Sequence, residues 1–352
     1  MPRRTGIVKD RRYLRHGAGN RHHPESPERL EAIYAMLELP AMKGRFIEIA
    51  PRYAEYRELQ MVHLPSYIDL VAGTAGKPHF MLDPDTETSP DSYEVARLAA
   101  GGLCNAVDSV VSGQVDNAFA LIRPPGHHAE AGEAAGFCLF NNVAVAAMHA
   151  IERHGMQRIL IVDWDLHHGN GTQHSFYDSS TVLYFSTHQY PYYPGTGSFD
   201  EIGRGAGLGY TINVPLRPGT DGSQYVKVFR RILQPVALEF QPDLVIVSAG
   251  FDIYYGDPLG AMNVTPKSFT QLTRILLNIA DQCCRGRLVL ALEGGYHIAG
   301  LVESVRVVLE ELREATHISE EELLSAERGA DARIDAVIGR VIDQIKPLWQ
   351  VF

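Results

Sequence analysis

Fifteen histidines occur in 352 residues, three times as adjacent pairs: His22/His23, His127/His128 and His167/His168. The densest chemistry lies in Asp163-Trp164-Asp165-Leu166-His167-His168-Gly169-Asn170-Gly171, directly after the apolar run Ile159 to Val162. Side chains alternate along a strand, so if strand geometry continues, Asp163, Asp165 and His167 point to one side. Two carboxylates and an imidazole are the donors of a hard-to-borderline metal site, and catalytic zinc takes three such protein ligands with one position left for water. A lone DxD would read more simply as a turn cap; two histidines behind it at a strand end favour the metal. The third ligand is expected from Asp252, in SAGFD after Leu244 to Val247. Asp257 is the alternative, although Gly-Asp-Pro is also a common turn composition.

His127 and His128 follow a rigid Pro-Pro-Gly turn after the apolar stretch Ala118 to Ile122. Neutral imidazole near its operating pH is the usual general base. Adjacent residues of an extended loop do not readily chelate one ion, so the pair reads as proton-transfer and charge-stabilising groups rather than incidental surface histidines. In Glu293-Gly294-Gly295-Tyr296-His297 the glycines permit close backbone approach, and the Tyr296 hydroxyl is suited to donate to a developing oxyanion.

These residues need elements to hold them. Apolar, β-branched runs predict strands at Ala118–Ile122, 158–163, 182–186, 210–214, 244–249 and 288–292, alternating with helices at 93–112, 142–153, 223–240, 268–283 and 301–316. Ser26 followed by Pro27 reads as an N-cap and first turn of a helix through Leu39, and 334–348 as a final amphipathic helix. Alternating units of this kind predict an α/β fold with a mainly parallel central sheet of about eight strands flanked by helices. Loops at the carboxyl ends of such strands converge on one site. Length alone suggests about two domains, but no linker or repeat divides the chain, and a site drawn from residues 127 to 296 requires one continuous sheet. A single domain over 1–352 is therefore expected.

Composition narrows the function classes. A formal charge of −10 disfavours direct nucleic-acid binding. Apolar runs are too short for a membrane span, and the basic N-terminus lacks the apolar region of a secretory signal. Four scattered cysteines offer no disulfide framework. The cytoplasm is the expected location.

The segments RPPGHHA, GFCLFNN, DWDLHHGNGTQ, PYYPGTG, SAGFD with GDPLG, and LEGGYH resemble, in order and spacing, the zinc-dependent histone deacetylase family with its arginase/deacetylase-like fold. The resemblance is strongest to its class II and bacterial deacetylase-like branch, to which HHPESPERL at 22–30 also conforms. It extends over about residues 5–316, leaving 317–352 as a helical extension packed on the domain. It implies one catalytic zinc held by Asp165, His167 and Asp252, His128 as general base and then acid, His127 as electrostatic partner, and Tyr296 as carbonyl-polarising donor. Asp163 would orient His127 and, with Asp165, His167, Ser186 and Thr187, hold a structural potassium ion. A second potassium site would use Phe176, Ser179, Val182 and Tyr210. Phe137 and Tyr193 would line an acyl-lysine channel, with Gly136, Leu259 and Gly295 completing the substrate contacts. Asn170 stands where some relatives carry Asp, so His128 should be less basic than in those relatives.

The reaction so implied is hydrolysis of an acylated lysine peptide or small acylated amine by metal-activated water. An acetylpolyamine amidohydrolase is the alternative, opposed by neutral Leu259 in GDPLG where polyamine-selective relatives carry an acidic gatekeeper; Asp83, Asp85, Glu87 and Asp91 read as a solvated acidic turn. A non-catalytic acyl-lysine-binding scaffold would have lost a ligand, the His pair or the tyrosine. An arginase-like dinuclear manganese site would need more bridging carboxylates. Substrate identity and any homo-oligomer are not fixed by the sequence.

Overall fold

The computed structural model describes residues 2–17, 19–20 and 22–352. One eight-stranded sheet runs through the molecule: β1 (Thr5–Val8), β2 (Ile47–Ile49), β5 (Asn117–Ala120), β6 (Ile159–Asp163), β7 (Val182–Gln189), β8 (Thr211–Leu216), β9 (Leu244–Ala249) and β10 (Leu288–Leu292). A separate antiparallel hairpin pairs β3 (Phe80–Asp83) with β4 (Thr86–Thr88). The strand order is β2-β1-β5-β10-β9-β6-β7-β8, every neighbouring pair parallel. Helices cover both faces, which explains why the strands are apolar throughout rather than alternating; all residues of β5 to β10 are buried. The expected single α/β domain with its parallel sheet is the observed one.

Several boundaries differ, for local reasons. β1, β2 and the hairpin were not expected; all are four residues or shorter. The first helix spans Glu28–Leu37, with Pro27 in the cap position and no side-chain cap, so Ser26 does not act as the N-cap. The predicted helix 223–240 is Gly222–Val228, a π turn at Phe229–Leu233, and Gln234–Phe240. Pro235 lacks the N–H that would bond the carbonyl of Arg231, and a wider turn accommodates that loss. A further helix, Glu320–Gly329, opens on a capping box between Ser319 and Glu322. Its Glu327 pairs with Arg230 at 2.7 Å, and the Trp349 indole N–H donates to the Gly209 carbonyl at 3.0 Å. No helix among the described residues is long and apolar enough to cross a membrane.

His16 and His63 are among the histidines buried in neutral form. His63 donates from Nδ1 to the Glu130 carbonyl at 2.8 Å, and its Nε2 accepts from the Asn141 N–H at 2.9 Å. Burial holds it at about 4. His16 is likewise pushed down to about 4 by burial and by Arg123, Glu25 opposing. Between about pH 6.5 and 4 both rings are protonated in the unfolded chain but not in the folded one, so the contribution of these two rings is flat above pH 6.5 and turns increasingly unfavourable as pH falls from 6.5 to 4. Between pH 7.5 and 5 each ring is expected to cost about 2 kcal/mol. Urea titrations of the wild type and a His63→Gln variant at the two pH values test this; a wild type that loses no more stability than the variant between pH 7.5 and 5 would refute it.

Candidate metal centre and active site

Strand order dictates where the chemistry gathers. β5, β10, β9 and β6 are consecutive neighbours, so the loops leaving their carboxyl ends, which carry the His pair, Tyr296, Asp252 and the DWDLHH run, lie side by side.

β6 ends at Asp163, so the expected continuation of strand geometry through His167 does not occur. The chain turns instead: the Asp165 N–H donates to Asp163 Oδ1 at 3.1 Å and the His167 N–H to Asp165 Oδ1 at 2.9 Å. This turn sends Asp163 toward the His pair, while Asp165 and His167 meet Asp252. Ligand atoms of Asp165, His167 and Asp252 all lie within 4.8 Å of one another, and the carboxylates are completely buried. Asp252 Oδ1 accepts from the Leu166 N–H at 2.9 Å. Its Oδ2 sits 3.2 Å from His167 Nδ1 without hydrogen-bond geometry and is otherwise unpartnered. Burial and the neighbouring Asp165 charge push Asp252 up to about 7. A buried orphan carboxylate oxygen, in a group short of positive charge, fits a site built for a divalent cation.

Backbone approaches the carboxylates through glycine. The Gly294 N–H donates to Asp165 Oδ2 at 2.9 Å, and a Cβ on Gly294 would stand 2.7 Å from that oxygen and nearer still to Asp252 Oδ2.

The His pair is differentiated by its partners. His127 Nδ1 lies 3.1 Å from Asp163 Oδ2; burial opposes its charge, but Asp165 and Asp163 outweigh it and hold the ring at about 10. His128 is driven well below the usual range by burial and by the neighbouring His127 and His167. Its Nδ1 lies 2.7 Å from Asn170 Oδ1, and Asn170 Nδ2 donates to Glu130 Oε1 at 2.6 Å. Glu130 fixes the amide orientation, so His128 carries its proton on Nδ1 and presents a lone pair on Nε2. The sequence reading missed Glu130; it lies two residues beyond the pair, a position that signals nothing on its own.

Asp252, and not the alternative Asp257, meets Asp165 and His167. Asp257 Oδ2 accepts from the backbone N–H of Tyr296 at 2.7 Å and of His297 at 3.0 Å, fixing the loop that carries the tyrosine. Arg29, fully buried, stacks 5.1 Å over the Tyr296 ring and donates to the Gly295 and Glu293 carbonyls. Glu25 joins Arg29 to Arg123. Buried Glu293 accepts from the Gly126 N–H at 2.7 Å and so ties down the His-pair turn. Arg29, Glu25 and Glu293 were not singled out for these tasks, because only the fold buries them.

A narrow cavity of about 90 Å³ is lined by Asp85, His128, Gly136, Phe137, His167, Tyr193, Leu259 and Tyr296. Gly136 and Phe137 are both left-handed, φ +54° and +68°, and a Cβ on Gly136 would fall 2.8 Å from His128 Cγ. Gly295 does not line this cavity; its carbonyl is taken by Arg29 at 2.7 Å. The acidic turn is not simply solvated, since Asp85 sits at the β3–β4 turn and accepts from the Gly136 N–H at 3.1 Å. Ser186 pairs in register with Asp163, and the Thr187 hydroxyl donates to the Asp163 carbonyl at 3.5 Å. Phe176, Ser179, Val182 and Tyr210 lie toward the opposite, amino-terminal end of β7 and β8. His168 is a core residue, bonded to Thr196 and Gln173.

Fold and site together define an α/β protein with a buried candidate metal centre at the carboxyl edge of a parallel sheet. The histone deacetylase domain model matches residues 23–312, and the chain belongs to that family. It is 44% identical over 300 residues to the human polyamine deacetylase HDAC10, covering 82% of this chain and 44% of that protein. It is 42% identical to Arabidopsis thaliana histone deacetylase 15 over 88% of this chain and 56% of the other, and 39% identical to a probable deacetylase of Archaeoglobus fulgidus over 84% and 82%. The chain thus spans about half the length of the human and Arabidopsis relatives. The crystal structure of the HDA15 HD domain superposes with a TM-score of 0.91 at 38% identity, covering 99% of this chain and 97% of that one.

Proposed function

We propose that this protein is a zinc-dependent deacetylase that hydrolyses acylated lysine peptides or small acylated amines in the cytoplasm. The observation that carries the reading is the meeting of Asp165, His167 and Asp252 beside a differentiated His pair, with His167 and His128 lining a cavity walled by Phe137 and Tyr193. Asp165, His167 and Asp252 would hold the ion, which when bound supplies Lewis-acid polarisation of a carbonyl and a more acidic water. His128 Nε2, its lone pair exposed by the Asn170 contact, takes a proton from water and returns it to the leaving amine. His127, cationic against Asp163, stabilises negative charge nearby. Burial keeps the Tyr296 phenol protonated, so its O–H donates to the oxyanion. Phe137 and Tyr193 exclude water around an acyl-lysine stem. Structural potassium ions at Asp163, Asp165, His167, Ser186 and Thr187, and at Phe176, Ser179, Val182 and Tyr210, complete the reading by family resemblance.

Glu130→Ala is expected to lower kcat about tenfold, the worth of one hydrogen bond to a charged group, with KM unchanged in steady-state assays. An unaltered kcat would remove Glu130 from the proton-transfer chain.

Asp85 keeps a second reading open. Its carboxylate lines the cavity beside Leu259, where it can accept from a peptide N–H or from the distal ammonium of a polyamine. Comparing kcat/KM for an acetyl-lysine peptide with that for acetylated putrescine and spermidine decides between them. Preference for the peptide is expected; a large polyamine preference would reverse the order.

A further inference from the structure

A second group of donors lies between two helices away from this centre. The helix Asn142–His154 carries His149 and His154, and the helix Ser92–Val111 presents Asp108 to both. Nε2 of His149 is 2.8 Å from Asp108 Oδ1, and Nε2 of His154 is 2.6 Å from the same oxygen. On its other side His149 Nδ1 lies 3.1 Å from Glu58 Oε1, and Glu58 is gripped by Arg52. With protons alone, both rings would need Nε2–H, and His149 would need a second proton on Nδ1 to satisfy Glu58. A single cation among the three donors removes that demand: each ring turns an Nε2 lone pair inward and releases that proton to water, while His149 keeps Nδ1–H for Glu58.

We propose that Asp108, His149 and His154 form a second metal site, for a divalent ion of the zinc class. The three ligand atoms lie within 4.8 Å of one another. Two imidazole nitrogens and one carboxylate oxygen suit zinc-like ions better than calcium or magnesium, which prefer oxygen. A carboxylate that receives the outer N–H of a ligating histidine is the usual support of such sites, and Glu58 occupies that place. Access is also present. His149 is buried, but the His154 and Asp108 side chains are 21% and 32% exposed, and Asp108 and His149 border a cavity of about 600 Å³, lined also by Arg52, Met61, Glu152 and Arg153. Water from this cavity supplies the fourth position. Cys104, which approaches Glu58 and His149, is completely buried and remains outside the set. The ion would brace two helices whose ligands are 41 and 46 residues apart in sequence. The proposal is independent of the deacetylase reading.

The test counts zinc in the full chain after chelator treatment, reloading with excess zinc chloride and desalting. His154→Ala is expected to hold one equivalent fewer than wild type, and Asp108→Asn the same. His167→Ala, in the centre described above, should lose a different equivalent, so that the double variant His154→Ala/His167→Ala loses both. Glu58→Gln should weaken zinc at the second site about 10- to 100-fold, read from competition with a chromophoric chelator. His154 lies in the last helical turn, and circular dichroism verifies the folded state of its variant; should that variant aggregate, Asp108→Asn carries the same comparison. Wild-type chain holding no more zinc than the His154→Ala or Asp108→Asn chain overturns the site, whatever the other centre retains.

Discussion

Tyr296→Phe is expected to lower turnover on an acetyl-lysine peptide on the order of 100-fold or more, the cost typical of removing one preorganised oxyanion donor, while zinc stays bound. The substitution isolates the hydroxyl because everything holding the ring survives it. Asp257 fixes the Tyr296 backbone N–H at 2.7 Å, Arg29 lies over the ring face, and Phe137 meets it edge-on with ring centroids 6.0 Å apart. None of these contacts uses the phenol oxygen. Burial, opposed in part by Arg29, pushes the phenol well above its ordinary value, so the group remains a donor throughout the working pH range. The measurement is kcat with a fluorogenic acetyl-lysine substrate beside zinc per chain. Wild-type turnover in the variant would refute the role; lost zinc would mean the tyrosine supports the metal centre instead.

Gly294→Ala should be as damaging without removing any functional group. The Gly294 φ is not in the left-handed region, so alanine meets no backbone penalty there. The added methyl would lie 2.7 Å from Asp165 Oδ2 and closer still to Asp252 Oδ2, driving apart two carboxylates that must converge on one ion. A displacement of about 1 Å in such a site costs on the order of 100-fold in rate, and overpacking destabilises by about 1–3 kcal/mol. Zinc content well below wild type, together with lost activity and a lowered urea midpoint, is the expected triple result. Full zinc occupancy in a folded Gly294→Ala chain would show that the close approach has no bearing on the metal.

Much of this centre was legible because parallel-sheet topology translates sequence position into spatial position. Runs such as Leu244–Ala249 and Leu288–Leu292 announce themselves by their apolar content, and the residue just beyond each falls at the site. What was illegible had one of two causes. β1 and β2 are too short to show periodicity, and their pairing with β5 and with each other is a long-range fact. The supporting charges Arg29, Glu25, Glu130 and Glu293 look like ordinary surface residues until the fold buries or aims them; Glu25, for instance, is held at about 2 against the cost of burial by Arg123 and Arg29. Asp163 shows the converse: the alternation rule placed it on the Asp165 side, but the strand ends at that residue and the turn gives it to His127.

The position of β10 has a consequence for biogenesis. It is the last strand in sequence, yet it fills the gap between β5 and β9. A nascent chain halted before Leu288 therefore exposes two apolar strand edges facing a vacant slot, and open edges of this kind recruit other chains. The same late strand delivers Gly294 and Tyr296, so the metal pocket closes only when the sheet does. Translation arrest near residue 288 should therefore yield aggregates rather than a dormant, refoldable chain.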